Sequence, residues 1–435
     1  MGTVECGKSG RRIRRVSKRV TPWRDRSLRV LVLSRNYPNN VTELLGLWVR
    51  GLVRESAKFC QVKVISPVPY CPLFPGLPEK YARFRRVERR QWDSGIESFH
   101  PRFISGPGYS THTIEWLLHL AAIRSTVDAL HRKFPFDLIH AHVTYPDGVV
   151  AAHVAGRYGL PVVITEHNPW SPWMDEYPSV RRRAIWAAKQ TACQIAVSES
   201  VRRTVEQFAG KMENLVVIPC GVDGSVFTLP SDGQARDPNQ ILFVGAIRPV
   251  KGVDILLRAL RILADRGRQT RLILVGEAYY GSYRQEELRV KKMVGDLDVG
   301  DRVQFVGKQL PPDLVRSVQK SAALVLPSRA ESLGMVLVEA LACGTPVVAT
   351  RCGGPEEIVN DRVGLLVSPE DPEALARGIE HVLDRRHTYD PVRLRAHALE
   401  KFGLESVGER LKHVYQEAMR RHQQGGEAKS VDFVR

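Results

Sequence analysis

The chain has 435 residues, 43% of them hydrophobic, and a formal net charge of +17. That length carries two globular domains with full cores, and no apolar run reaches the roughly 20 residues of a membrane-spanning helix. The seven cysteines are scattered without a C-x-x-C pair, which argues against a zinc ribbon or a disulfide framework and for a reducing cytoplasmic compartment.

Residues 1–27 read as a disordered basic tail. The first 29 residues hold ten Lys/Arg against Glu5 and Asp25, so +8 of the net charge sits there. The tail lacks the apolar core of a secretory signal. Further basic clusters lie at Arg83–Arg90 and Arg181–Arg183. Such a balance suits an anionic partner: a nucleoside diphosphate, an anionic membrane or a nucleic acid.

From Leu28 onward, strand and helix alternate. The run 28–34 is short and apolar, as in a buried parallel strand. A helix is predicted near 47–59, then a strand at 62–66, a helix at 115–134, a strand at 137–141, a helix at 148–157 and a strand at 161–165. This order predicts a doubly wound α/β domain over 28–220. A polar Pro/Gly/Asp-rich segment, 221–239, reads as a linker. Alternation resumes over 240–403, with strands at 241–244, 271–275, 303–306, 323–326 and 346–349. A long helix at 404–422 follows the second domain, and 423–435 is a tail.

The stretch Pro327–Glu357 carries most of the chemistry. Glu331 and Glu339 stand eight residues apart on a segment that enters a helix, a span of roughly 12 Å at about 1.5 Å per residue. That matches the distance from the hexose to the ribose of a nucleotide-sugar. The N–H groups of Leu333, Gly334 and Met335 fall at the helix start, where a diphosphate binds well. Upstream, Phe243 to Gly252 reads as strand, glycine turn at Gly245, and helix start, with Arg248 and Lys251 beside it. Paired cations there would stabilise the charge that grows on a departing diphosphate.

These two segments closely resemble the donor site of the retaining GT-B glycosyltransferases of family 4, including the E-x7-E signature and the six-residue Gly-to-Lys spacing. The resemblance covers roughly residues 28–420. It implies two Rossmann-like domains facing a cleft, with the last helix crossing back. It implies that Glu331 holds the donor hexose, Glu339 the ribose, and Lys251 and Arg248 the diphosphate. It also implies that His167, at the end of a strand, hydrogen-bonds the transferred sugar, with Glu166 orienting it or capping the next loop. Gly46 is the nearest match to the family's glycine loop over the diphosphate and acceptor. The chain departs from the family at Ser332-Leu333-Gly334, where Gly-Phe-Gly is common, and at Ala246, where many members place Arg.

The implied activity moves a hexosyl group from a nucleotide-sugar to a saccharide or lipid-linked acceptor, as in cell-surface polysaccharide or glycolipid synthesis, with no cofactor and no metal. Asp296-Leu297-Asp298 looks like a metal-binding D-x-D but lies in a polar loop, and is expected to be a decoy. His140 and His142 lack a third zinc ligand at sensible spacing and read as satisfied interior or cleft-wall histidines. Segment 80–92 interleaves six cations with Tyr81, Phe84 and Trp92, which suits peripheral docking on an anionic inner leaflet. The alternatives are a nucleotide-sugar epimerase or hydrolase of the same fold, or a polyanion-binding protein. No nucleic-acid motif supports the last.

Overall fold

The computed structural model describes residues 27–71, 82–105, 111–170, 173–231, 235–278 and 284–424. Part of the basic segment (Lys80 and Tyr81) and nearly all of the predicted N-terminal tail lie outside the described residues.

The N-terminal half builds an eight-stranded sheet. Its spatial order is Leu215–Val217, Cys193–Ala196, Val162–Glu166, Leu138–His142, Arg29–Leu33, Gln61–Ile65, Ile96–Phe99 and Arg90–Asp93. All neighbours run parallel except the last pair, an antiparallel hairpin turned by Ser94 and Gly95, both with positive φ. The central strand shows why its sequence is apolar throughout. Leu31 and Leu33 pack with Ile123, Val127 and Leu130 of the helix Glu115–Lys133 on one side. Val30 and Val32 pack on the other side, with Val49 and Val53 of the helix Leu47–Ser56.

That second layer includes the C-terminal helix Leu404–Gln424. Its Val407, Leu411, Val414 and Tyr415 belong to the N-terminal core, so the helix crosses back as expected. The chain crosses between domains twice, side by side. Val222 N–H donates to Phe402 O (2.7 Å) and Leu404 N–H donates to Val222 O (3.0 Å).

The second domain is a six-stranded parallel sheet in the order Val303–Gly307, Arg271–Val275, Asp237–Val244, Ser321–Leu326, Val347–Thr350 and Gly364–Val367. The predicted linker is shorter than 221–239, because the strand begins at Asp237 and not at Ile241. Its first residues are polar and partly exposed, so the apolar signal starts late.

Asp296 ends the helix Arg284–Asp296 and does not sit in a loop. It pairs with Lys292 at 3.1 Å, while the Asp298 side chain is 99% exposed. Among the described residues, no group of three His, Cys, Asp or Glu side chains is placed to hold a metal ion, and no helix is long and apolar enough to cross a membrane.

Candidate active site

The carboxyl ends of both sheets face each other across a cleft of about 1070 Å³. In open α/β sheets ligands bind in the crevice beyond the carboxyl ends of the strands. Of the residues singled out from sequence, His167, Gly245, Lys251, Glu331, Leu333, Gly334, Met335 and Glu339 all line this cleft. Arg248 is exposed and is not among the residues lining the cleft, whereas Lys251 is.

Lys251 Nζ lies 2.6 Å from Glu331 Oε2, and Ser328 Oγ donates to the same oxygen at 3.0 Å. The backbone of Glu331 is fixed as well: its N–H donates to Cys352 O, and Gly354 N–H donates to its carbonyl at 2.9 Å. The loop bearing Lys251 is tied to the same region by Arg329. Its guanidinium takes both oxygens of Asp254 at 2.9 Å, and its N–H donates to Val250 O at 2.8 Å. Sequence reading missed Arg329, although it stands two residues before Glu331. A planar fork that clamps a carboxylate in two places is a natural strut between loops.

The helix after Glu331 starts later than the sequence indicates. It spans Met335–Ala342, and Gly334 caps it with φ 92°. Leu333 is buried against Gly354, where an added Cβ would come within 2.2 Å of Leu333 Cα. Gly354 therefore lets one loop of the donor side approach another.

Glu339 is partly buried, and burial pushes its carboxyl pKa up to about 8. Without a ligand this group is mostly protonated at neutral pH.

On the opposite wall, His167 is held on three sides. Its main-chain N–H and that of Asn168 donate to Glu166 Oε1, both at 3.0 Å. The other oxygen of Glu166 accepts Thr144 N–H (2.9 Å) and the Trp170 indole (3.0 Å). Glu166 thus caps the loop and does not touch the His167 ring nitrogens, which meet His142 Nδ1 (2.9 Å, from Nε2) and Cys220 Sγ (3.4 Å, from Nδ1). Burial lowers the His167 pKa to about 3, so the ring is neutral. His140 is an interior residue, bonded to Tyr415 Oη and Thr165 Oγ1, each at 2.8 Å.

Gly46 does not line the cleft. It caps the helix Leu47–Ser56 with φ 74°, and a Cβ there would meet Asn36 O at 1.9 Å. It sets the entry of a helix whose Trp48 lines the cleft, with its ring centroid 6.3 Å from that of His167. Trp48 and Cys220 escaped sequence reading, because an isolated Trp or Cys carries no spacing signal.

Two Rossmann-like domains that meet across such a cleft, with a final helix returning to the first domain, are the GT-B architecture. Residues 45–225 match the family Glycosyltransferase Family 4, and residues 229–398 match Glycosyl transferases group 1. The chain is 31% identical over 341 residues to the D-inositol 3-phosphate glycosyltransferase of Acidothermus cellulolyticus, covering 73% of this chain and 75% of that protein. The enzyme of that name from Frankia alni is 32% identical over 293 residues, covering 62% of this chain and 72% of that protein. Among solved structures, the sucrose-phosphate synthase of Thermosynechococcus elongatus has the same fold (TM-score 0.76, 21% identity, 91% of this chain and 100% of that one). So does Anabaena HepE in complex with UDP-glucose (TM-score 0.68, 21% identity, 89% and 99%). The chain belongs to this family and is a GT-B glycosyltransferase.

Proposed function

We propose that this enzyme is a retaining hexosyltransferase that uses a nucleoside-diphosphate hexose and delivers the sugar to a hydroxyl of a saccharide or lipid-linked acceptor. The observation that carries the reading is the pairing of Lys251 with Glu331 beside a helix N-terminus, across the cleft from a neutral, clamped His167. The cation and the helix end suit the diphosphate, Glu331 the hexose hydroxyls, and Glu339 the ribose. HepE is described with UDP-glucose, which makes UDP-hexoses the first donors to try. The named acceptor of the sequence relatives, an inositol phosphate, belongs in the acceptor panel.

In this reading the bond from the anomeric carbon to the diphosphate oxygen breaks, and the bond to the acceptor oxygen forms on the same face. The acceptor proton passes to the departing phosphate oxygen. No protein nucleophile is needed, and the chain supplies positioning and charge stabilisation. Metal independence is part of the proposal, with Lys251 and the helix end serving the diphosphate.

Peripheral membrane docking would rest on the exposed Arg86, Arg89 and Trp92. Two cations of this region are already engaged within the protein: Arg85 donates to Cys71 O at 2.8 Å, and Arg90 pairs with Glu97. Co-sedimentation with anionic and neutral vesicles at low and high salt tests it. Binding only to anionic vesicles at low salt is expected, and equal partitioning or none removes it. A thermal-shift titration with UDP-, GDP- and ADP-hexoses tests the donor reading, which fails if no nucleotide-sugar stabilises the protein.

A further inference from the structure

We infer that His142 is a positioning residue that holds His167 in one ring tautomer, protonated on Nδ1, with that N–H turned to the Cys220 thiol on the cleft wall. The inference rests on the reading of His167 as a contact of the transferred sugar. It adds a residue, and a proton position, that neither the sequence motifs nor the comparisons assign.

The geometry is specific. His142 is 1% exposed and does not line the cleft, whereas His167 and Cys220 both do. His167 Nε2 therefore points inward to His142 Nδ1 (2.9 Å), and Nδ1 points to the cleft-lining thiol (3.4 Å). Burial keeps both imidazoles neutral, so each ring carries one proton.

Two arrangements of those protons exist. If His167 donates from Nε2, then His142 Nδ1 accepts and His142 carries its proton on Nε2. Among the described residues that atom has no hydrogen-bond partner, so a buried N–H donor would be left unmet. If instead His142 donates from Nδ1, its unpartnered nitrogen is a bare acceptor, and His167 carries its proton on Nδ1. Among backbone groups, orphaned buried N–H donors are rarer than under-used acceptors; the same preference at this ring selects the second arrangement.

The consequence is functional. Glu166 fixes the main chain at His167, His142 fixes the inner edge of the ring, and the outer edge presents a donor. A thiol is both a weak donor and a weak acceptor, so the Cys220 contact fits either tautomer and yields readily when a sugar oxygen arrives. Cys220 also belongs to the first interdomain crossing, two residues before Val222, which is bonded to Phe402 and Leu404. The outer contact of the ring is therefore set by the seating of the two domains.

Nitrogen-15 NMR of histidine-labelled full-length protein, with the His167 signals assigned by their loss in His167→Gln, tests this directly. The result expected is His167 protonated on Nδ1. Protonation on Nε2, or an imidazolium, would overturn the proposal. Kinetics supply the second test. His142→Phe should lower kcat on the order of tenfold to a hundredfold, as expected for a misplaced contact, with the donor KM little changed. His142→Asn, which keeps an N–H near the Nδ1 position, should recover most of that loss. Wild-type kcat in His142→Phe would overturn the clamp. Full activity in His167→Ala would instead refute the sugar-contact reading and leave the tautomer result standing.

Discussion

Lys251 Nζ and Glu331 Oε2 lie 2.6 Å apart, although eighty residues separate them in the chain. Each comes from the loop after a central strand of the second sheet, and the Arg329 clamp on Asp254 ties the two loops together. Without a ligand, each charge answers the other. In the proposed reaction a nucleotide-sugar would draw Lys251 to its diphosphate and Glu331 to its sugar hydroxyls, which would make the pair a preformed site for both ends of the scissile bond.

Replacing either partner should therefore affect turnover more than folding. Glu331→Gln and Lys251→Ala should each lower kcat/KM by about 10²–10³-fold, the scale of a lost transition-state contact. The pair is partly exposed, so its direct contribution to stability is small. Steady-state kinetics and thermal melts on the same samples check this, and near-wild-type kcat/KM in either variant refutes the donor-site assignment.

Glu339 predicts a pH dependence. Its folded-state pKa is raised to about 8 by burial, from 4.5. Between those values the folded chain binds more protons than the unfolded one, so this group makes stability fall as pH rises. An ionised carboxylate is the stronger acceptor for ribose hydroxyls. Nucleotide affinity should thus rise from pH 6 to pH 8.5, with proton release on binding. Calorimetric titration in buffers of different ionisation enthalpy measures both, and Glu339→Gln should flatten both trends. An affinity independent of pH in the wild type contradicts the ribose role.

Gly46 should not tolerate a side chain. Gly46→Ala places a Cβ against Asn36 O at a φ of 74°. A cost of about 2 kcal/mol or more is expected for such strain, seen as a lower denaturation midpoint. Donor turnover should fall as well, because the helix it starts carries Trp48 into the cleft. An unchanged midpoint would show that the loop relaxes freely.

Excess EDTA should leave activity intact, since Lys251 and a helix N-terminus are positioned for the diphosphate. Loss of activity in EDTA, restored by manganese, would show that a metal ion does this work.

Much of the architecture was legible because buried parallel strands are nearly uniform in their apolarity. Arg29–Leu33 and Arg271–Val275 announce themselves that way. Cys193–Ala196 did not, since it is four residues long and contains Gln194, whose buried amide donates to Thr144 Oγ1 at 3.1 Å. The donor side was legible from motif spacing, which placed Lys251, Glu331 and Glu339 on one cleft. What holds those residues was not. Arg329, His142 and Cys220 act through contacts made across 25 to 75 positions of sequence, and no local pattern encodes such pairings. Arg248 is exposed and outside the lining of the cleft, a placement that spacing in the sequence does not encode.

The most direct test of the central claim combines substrate and stereochemistry. The full-length enzyme is incubated with α-linked UDP-, GDP- and ADP-hexoses and a panel of saccharide, inositol phosphate and lipid-linked acceptors. Nucleoside diphosphate release is followed together with the anomeric signal of the product by proton NMR. The account predicts that one donor is consumed, that the product keeps the α configuration, and that Glu331→Gln slows the reaction by about 10²–10³-fold. A β-configured product, or a wild-type rate in Glu331→Gln, would contradict it.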